Sequence, residues 1–302
     1  MKKFFTLAAL LLFAGSTMFA QGFITKALDP ETDEPTFDWS KAEMFIPMAI
    51  SESVGETIGD KVAFDATFDG TTRFFDIWPA GETYVGVDQD GSLNSFGQPE
   101  DHIALDVTGF QGWSGLGFRA TSESQTPWET VIDDTWVFHF AMKSIDNASH
   151  RFSIGGGDAT FTIGDTEFEG GKVIGNIPRD GEWYYIDIPY SVIRQLADVV
   201  WAYGNDGAIN YLTILSGGVQ GTQLRLDNMF WYKDNTIVVE PELPTGDVTG
   251  DKIVDVEDVN AAINIILKVK TNDDYPGSAE MNGDGIVDVE DVNAIINIIL
   301  NH

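Results

Sequence analysis

Residues 135–143 read TWVFHFAMK. In an extended chain, Trp136, Phe138, Phe140 and Met142 share one face, and Val137, His139, Ala141 and Lys143 share the other. Runs of similar length recur on both sides: residues 61–68 (KVAFDATF), 72–78 (TRFFDIW), 103–107, 159–163, 182–188 (EWYYIDI) and 223–232 (QLRLDNMFWY). Clusters of Gly, Asp, Asn and Pro separate them. Many short strands between turn residues predict an all-β sandwich or barrel over residues 43–233. About 190 residues suffice for one buried core. One helix is predicted from Ser191, as N-cap, through Ile193, Leu196, Ala197 and Val200.

The chain has 302 residues, a prior for about two domains. Lys2 and Lys3 precede an apolar run over 4–14, and Ala20-Gln21 follows small and polar residues. That order predicts a secretory signal peptide over 1–20, cleaved after Ala20, and a secreted or periplasmic product. No apolar stretch reaches the ~20 residues of a membrane span. The absence of cysteine excludes disulfides and thiolate metal sites. A formal charge of −31 disfavours nucleic acid and anionic lipid. It is compatible with neutral glycans, calcium and basic protein patches.

Residues 234–245 (DNTIVVEPELPT) read as a linker stiffened by Pro241 and Pro244. Beyond it the chain repeats itself. DVTGDKIVDVEDVNAAINIIL begins at Asp247 and EMNGDGIVDVEDVNAIINIIL at Glu280, an offset of 280 − 247 = 33 residues with 16 of 21 positions identical. Oxygen ligands at every second position before a helix describe a calcium loop, whose ligands occupy positions 1, 3, 5, 7 (a carbonyl), 9 and 12. The first copy places Asp247, Thr249, Asp251, the Ile253 carbonyl, Asp255 and Asp258 there. The second places Glu280, Asn282, Asp284, the Ile286 carbonyl, Asp288 and Asp291. Two calcium ions are expected, and a core this small should need them to fold. Val259, Ile263, Ile266 and Leu267 predict an apolar helix stripe, matched by Val292, Ile296, Ile299 and Leu300. Val254 and Val287 are expected to pair the loops through a short bridge. Position 6 takes positive φ; Gly285 suits it, whereas Lys252 should cost roughly 1 kcal/mol there. With weaker residues at positions 3 and 6 of the first loop, the second site is expected to bind more tightly.

These residues closely resemble a type I dockerin over 246–302, with Asp258 and Asp291 matching its aspartate at position 12. The resemblance implies docking onto a cohesin-type partner. Positions 10 and 11, where that family's recognition centres, are Val256 and Glu257 in one copy and Val289 and Glu290 in the other. They lack a hydroxyl pair, so the cohesin implied differs from those of the well-known cellulosomal dockerins. The sandwich, through GEWYYIDIPYSVI (181–193) and LRLDNMFWYK (224–233), resembles β-jelly-roll carbohydrate-binding modules. That resemblance implies polysaccharide binding and a possible structural calcium ligand at Asp227.

No nucleophile elbow, zinc-protease motif or phosphate loop occurs. Gly155-Gly156-Gly157 and the glycines over 112–117 read as turns or bulges. Trp113 and Trp128 lie in Gly/Pro/Ser-rich surroundings and are candidates for a glycan platform, with Gln111 and Arg119 nearby. Trp136, Trp183 and Trp231 lie on strands and are expected in the core. The favoured reading is a non-catalytic glycan-binding protein that a calcium-loaded dockerin attaches to a partner. The alternatives are a glycoside hydrolase delivered by its dockerin and an adhesion or matrix protein.

Overall fold

The computed structural model describes residues 22–78, 83–87, 93–107, 113–124, 126–156, 159–201, 207–217, 221–238 and 243–301. The signal segment and Gln111 lie outside them, and so do the side chains of Trp78 and Trp113. The chain divides into two compact units, Met1–Val238 and Val239–His302, and the boundary falls inside the predicted linker.

The strands of the first unit are β1 (Ile24–Lys26), β2 (Ala42–Ala49), β3 (Arg73–Trp78), β4 (Thr83–Val87), β5 (Ile103–Val107), β6 (Trp113–Thr121) and β7 (Trp136–Lys143). They continue with β8 (His150–Ile154), β9 (Thr160–Ile163), β10 (Lys172–Gly175), β11 (Tyr184–Pro189), β12 (Ala208–Gly217) and β13 (Gln223–Asp234). Short helices α1 (Glu52–Ile58), α2 (Trp128–Val131) and α3 (Tyr190–Leu196) connect them. One sheet runs β1-β11-β7-β13-β5-β4, with β2 also on β13; the other runs β10-β9-β8-β12-β6-β3. The pairing is antiparallel except for β9 with β10. The all-β sandwich is therefore present.

The alternation along β7 holds. Trp136, Phe138, Phe140 and Met142 pack into the core between the sheets. Val137 and Ala141, on the opposite row, are buried as well, in a second cluster with Phe37, Phe45, Phe96 and Phe230. The outer face of this sheet is thus covered by residues of the N-terminal lead, α1 and the segment around Phe96. His139 lies inside that cover, fully buried and stacked on Phe230 at 4.4 Å. Its Nδ1 meets Asp187 at 2.9 Å. Burial pushes the Asp187 carboxyl up, but the charge and hydrogen bond of His139, with Lys41 and Tyr232, outweigh it and hold the group below its ordinary value.

Three expectations change. Residues 61–68 form no strand; they run as an extended segment with one bridge, Phe45 to Val62, and Asp65 turns the chain by accepting from the Thr67 N–H at 2.9 Å. The helix after Ile188 starts at Tyr190 behind Pro189, not at Ser191, and ends at Leu196. Pro189 is itself the N-cap, with an extended ψ of 139° and no side-chain capping hydrogen bond. Trp128 is core, as described below.

The second unit holds α4 (Val256–Ile266) and α5 (Val289–Asn301). Asp255 caps α4, and Asp258 reaches back to complete a capping box. The helix ends with the Lys268 N–H on the Ile265 carbonyl and the Val269 N–H on the Asn264 carbonyl, both 2.9 Å. Lys268 sits at φ 57° where glycine is usual. The core comprises Val248, Val259, Ala261, Ala262, Ala279, Val292 and Ile295. The predicted stripes are only half right: Leu267 and Leu300 are 66% and 75% exposed, and Ile263 is 37% exposed. Alanines on α4 let the chain approach closely, so the buried face lies nearer Ala262 than Ile263. Val254 and Val287 pack against this core, but no bridge joins them among the described residues.

Candidate functional site

The outer face of the second sheet is partly exposed where that of the first is covered: Phe74, Asp76, Arg119, Thr213, Leu215 and Arg151 are half-exposed, whereas Gly115, Gly117 and Ser153 are buried. Its inward row includes Phe75, Leu116, Phe118, Ile214 and Phe152, all packed in the core. The alternate residues therefore face outward. Across β3, β6, β12 and β8, one row reads Asp76, Gly117, Thr213, Ser153. The next contains Gly115, Leu215 and Arg151. Phe74 lies opposite Arg119.

Gly115 and Gly117 leave the centre of β6 without side chains, and the flanking groups stand as walls. Arg119 Nε meets Asp76 at 2.8 Å, and its guanidinium lies 5.5 Å from the Phe74 ring centre. Both charged groups are about one-third exposed. Across the face, the buried Nε of Arg151 has no hydrogen-bond partner among the described residues. At the far side Thr162, fully buried, donates to the Gly171 carbonyl at 2.8 Å, so the residue 164–171 loop closes that end. The result is a shallow trough offering a carboxylate, guanidinium groups, hydroxyls and an aromatic ring.

Of the predicted platform, Arg119 belongs to this trough. Trp113 opens β6 opposite Gly217, and nothing of its side chain or of Gln111 is described. Trp128 does not belong. It is 1% exposed, stacked between Trp201 and Tyr211 at 5.0 Å each, with the Phe64 ring edge-on at 4.9 Å. The Gly/Pro/Ser context signalled a loop but not which way the ring turned. Trp136, Trp183 and Trp231 are core, as expected. Sequence reasoning missed Phe74, Asp76 and Arg151. Gly115 and Gly117, read from the sequence as turn or bulge residues, instead lie in regular register within β6, and glycine in a strand marks a close approach or a cleared face.

Asp227 pairs with Ala141 of β7 and immediately precedes a bulge in β13, where Asn228 and Met229 intervene before Phe230 pairs with His139. It accepts from the Ser95 N–H at 2.8 Å, the Ser95 hydroxyl at 2.5 Å and the Asn228 amide at 2.8 Å. Burial raises its pKa, and the donors from Ser95 and Asn228 offset this only in part. Its partners are neutral, so its visible role is to hold the 93–98 segment on the sheet.

In the second unit the two loops follow matching paths. Gly250 and Gly283, at position 4, have φ of 80° and 82°. At position 6 Lys252 has φ 72° and Gly285 80°, so the lysine does take the left-handed conformation. Asp258 and Asp291 are fully buried. Asp258 accepts from the Thr249 and Asp255 N–H groups at 2.9 and 2.8 Å, and Asp291 from Met281 and Asp288 at 2.7 and 2.8 Å. Asp247 accepts from the N–H groups of Gly250, Asp251 and Lys252 at 2.7, 3.2 and 2.7 Å, and the longer Glu280 accepts from Asn282, Gly283 and Asp284. Donor types and backbone path suit calcium. Asp251 and Asp284 each accept from the N–H two residues on. Among the described residues no three His, Cys, Asp or Glu side chains are gathered as a ready metal cluster.

Among the described residues no helix is long and apolar enough to cross a membrane. No known family profile matches the chain, and no curated protein matches it. Solved structures similar to it include a family 30 carbohydrate-binding module, 11% identical, covering 57% of this chain and 84% of its own, at a TM-score of 0.33. A family 11 carbohydrate-binding module from Clostridium thermocellum, in complex with a β-1,3-1,4-mixed-linked tetrasaccharide, is 12% identical and covers 57% of this chain and 94% of its own, at 0.32. An arabinose-bound family 51 α-L-arabinofuranosidase is 12% identical over 52% of this chain and 23% of its own, at 0.29. Scores this low carry no argument about fold or ligand, and the sandwich rests on its own strand pairing.

Proposed function

We propose that the protein is a secreted glycan-binding module carrying a calcium-dependent docking unit. The trough over Gly115 and Gly117 carries the first half. Sugar rings present C–H faces to aromatic rings and hydroxyls to carboxylates, guanidinium groups and hydroxyls. The half-exposed Phe74, Asp76, Arg119, Thr213 and Arg151 offer that mixture along one sheet face. Affinity electrophoresis through gels cast with soluble polysaccharides tests this. Retardation by at least one neutral glycan is expected, weakened at least tenfold by Arg119→Ala with the melting temperature held. No retardation by any polysaccharide, or an unchanged variant, overturns it. Release of reducing sugar from the same panel would favour the hydrolase instead.

The second half rests on the repeat. The left-handed Lys252 and the buried Asp258 and Asp291 support two calcium loops of the dockerin kind. Their carboxylates would hold one ion per loop, and the ion would supply the attraction that lets four acidic groups sit together. Val256 and Val289, each 64% exposed, are accessible to a cohesin-type partner. Calorimetric titration of the full chain is expected to give two ions, both lost in the Asp258→Ala, Asp291→Ala double variant. Calcium a hundredfold above its Kd would add about 2.7 kcal/mol per occupied loop to this unit. Equal uptake by the double variant would show only diffuse binding to an acidic surface.

A further inference from the structure

The first sheet has a break. Along one edge of β13, β5 pairs with residues 223–226 and β2 with residues 229–234. Two short strands thus lie end to end along one long strand, and the bulge that follows Asp227, beginning at Asn228, falls at their junction. Asn228 adopts φ 44°, unfavourable for a non-glycine residue. Its side-chain oxygen accepts from the Ser51 N–H at 2.8 Å, and its amide donates to Asp227. These bonds pin the junction, so neither strand can extend to close the gap.

A cavity of about 350 Å³ opens there. Its walls include Phe75 and Phe118 from the opposite sheet, with Ile103 and Leu226 beside them. Phe68 lies among the lining residues and is 61% exposed. The polar groups are Asp101, His102, Asp227 and Asn228, and no lysine or arginine lines it among the described residues. Asp101 is exposed. The volume lies at the lower end of small-molecule sites. A sugar ring would bring more hydroxyls than these groups can satisfy, and unpaired polar groups are costly to bury. An anion would face the Asp101 carboxylate and a strongly acidic surface. Three aromatic rings with an exposed carboxylate among the lining groups suit an ammonium group on an apolar body, through ring quadrupoles and direct charge.

We propose that this junction cavity binds a small organic cation, an aromatic or alkyl body bearing one ammonium head, independently of the glycan trough. Benzylamine is the probe and benzyl alcohol its neutral counterpart, both followed by amide chemical shifts of the full chain. Benzylamine is expected to bind on the order of 1 mM, as its few atoms allow, and the alcohol at least fivefold more weakly. Asp101→Asn should remove that preference, and Phe68→Ala should weaken both ligands severalfold. Both side chains are exposed, so the fold should survive either change. Equal affinity for amine and alcohol, an unaltered preference in Asp101→Asn, or shifts confined to the β6 and β12 trough would each overturn the proposal. Because the polysaccharide gels report the trough and these shifts report the junction, the two readings fail separately.

Discussion

Trp128→Ala is expected to destabilise the sandwich by about 3–5 kcal/mol, the range for truncating a fully buried large aromatic. The ring fills the space between Trp201 and Tyr211, and Phe64 closes its edge. The sheet it packs on is fixed elsewhere, since the Tyr211 hydroxyl donates to the Ala66 carbonyl at 2.7 Å. The walls cannot fully collapse, and a cavity remains. For a unit of this size the melting temperature should fall on the order of 10 °C. All eight tryptophans precede residue 239, so tryptophan emission in a urea titration reports the first unit alone. An unshifted midpoint together with lost glycan retardation would return Trp128 to the binding platform.

Acid should begin to destabilise the same unit above the pH at which ordinary carboxylates titrate. His150 is completely buried, its Nδ1 3.0 Å from the Ser216 hydroxyl and its Nε2 without a partner among the described residues. Burial, with the nearby Arg179 charge second, lowers its pKa from 6.5 to about 3. The unfolded chain therefore takes up a proton near pH 6.5, and the folded chain only near 3. The stability that neutral His150 contributes is complete above pH 6.5 and is lost as pH falls toward 3. The slope is about 1.4 kcal/mol per pH unit, so a loss on the order of 3 kcal/mol accumulates by pH 4. His150→Gln cannot titrate, so its urea midpoint should vary much less between pH 7 and 4, whatever its stability at pH 7. Parallel pH profiles for the two proteins would show that His150 does not control acid unfolding. The depressed pKa of Asp187 adds a separate loss, felt only as pH falls below the ordinary aspartate range.

Strands with clear alternation were legible because burial on a sheet face imposes a period of two. β7 and β13 appear within two residues of their expected ends. Residues 61–68 alternate too, yet lack a partner strand over their length. Hydrogen-bonding partners are a long-range property that local pattern does not carry. The same limit applies to β2, whose Pro47 reads as an interruption and is tolerated at an edge.

The sequence by itself determined the doubled loops, the positive φ forced on Lys252 and the all-β character of the first unit. Each follows from spacing along the chain, and spacing is local. Only the tertiary structure decided which tryptophans turn inward, which sheet face stays open and where β5 gives way to β2. Those outcomes depend on what packs across from each residue, and the opposing groups lie tens to more than a hundred positions away in the chain.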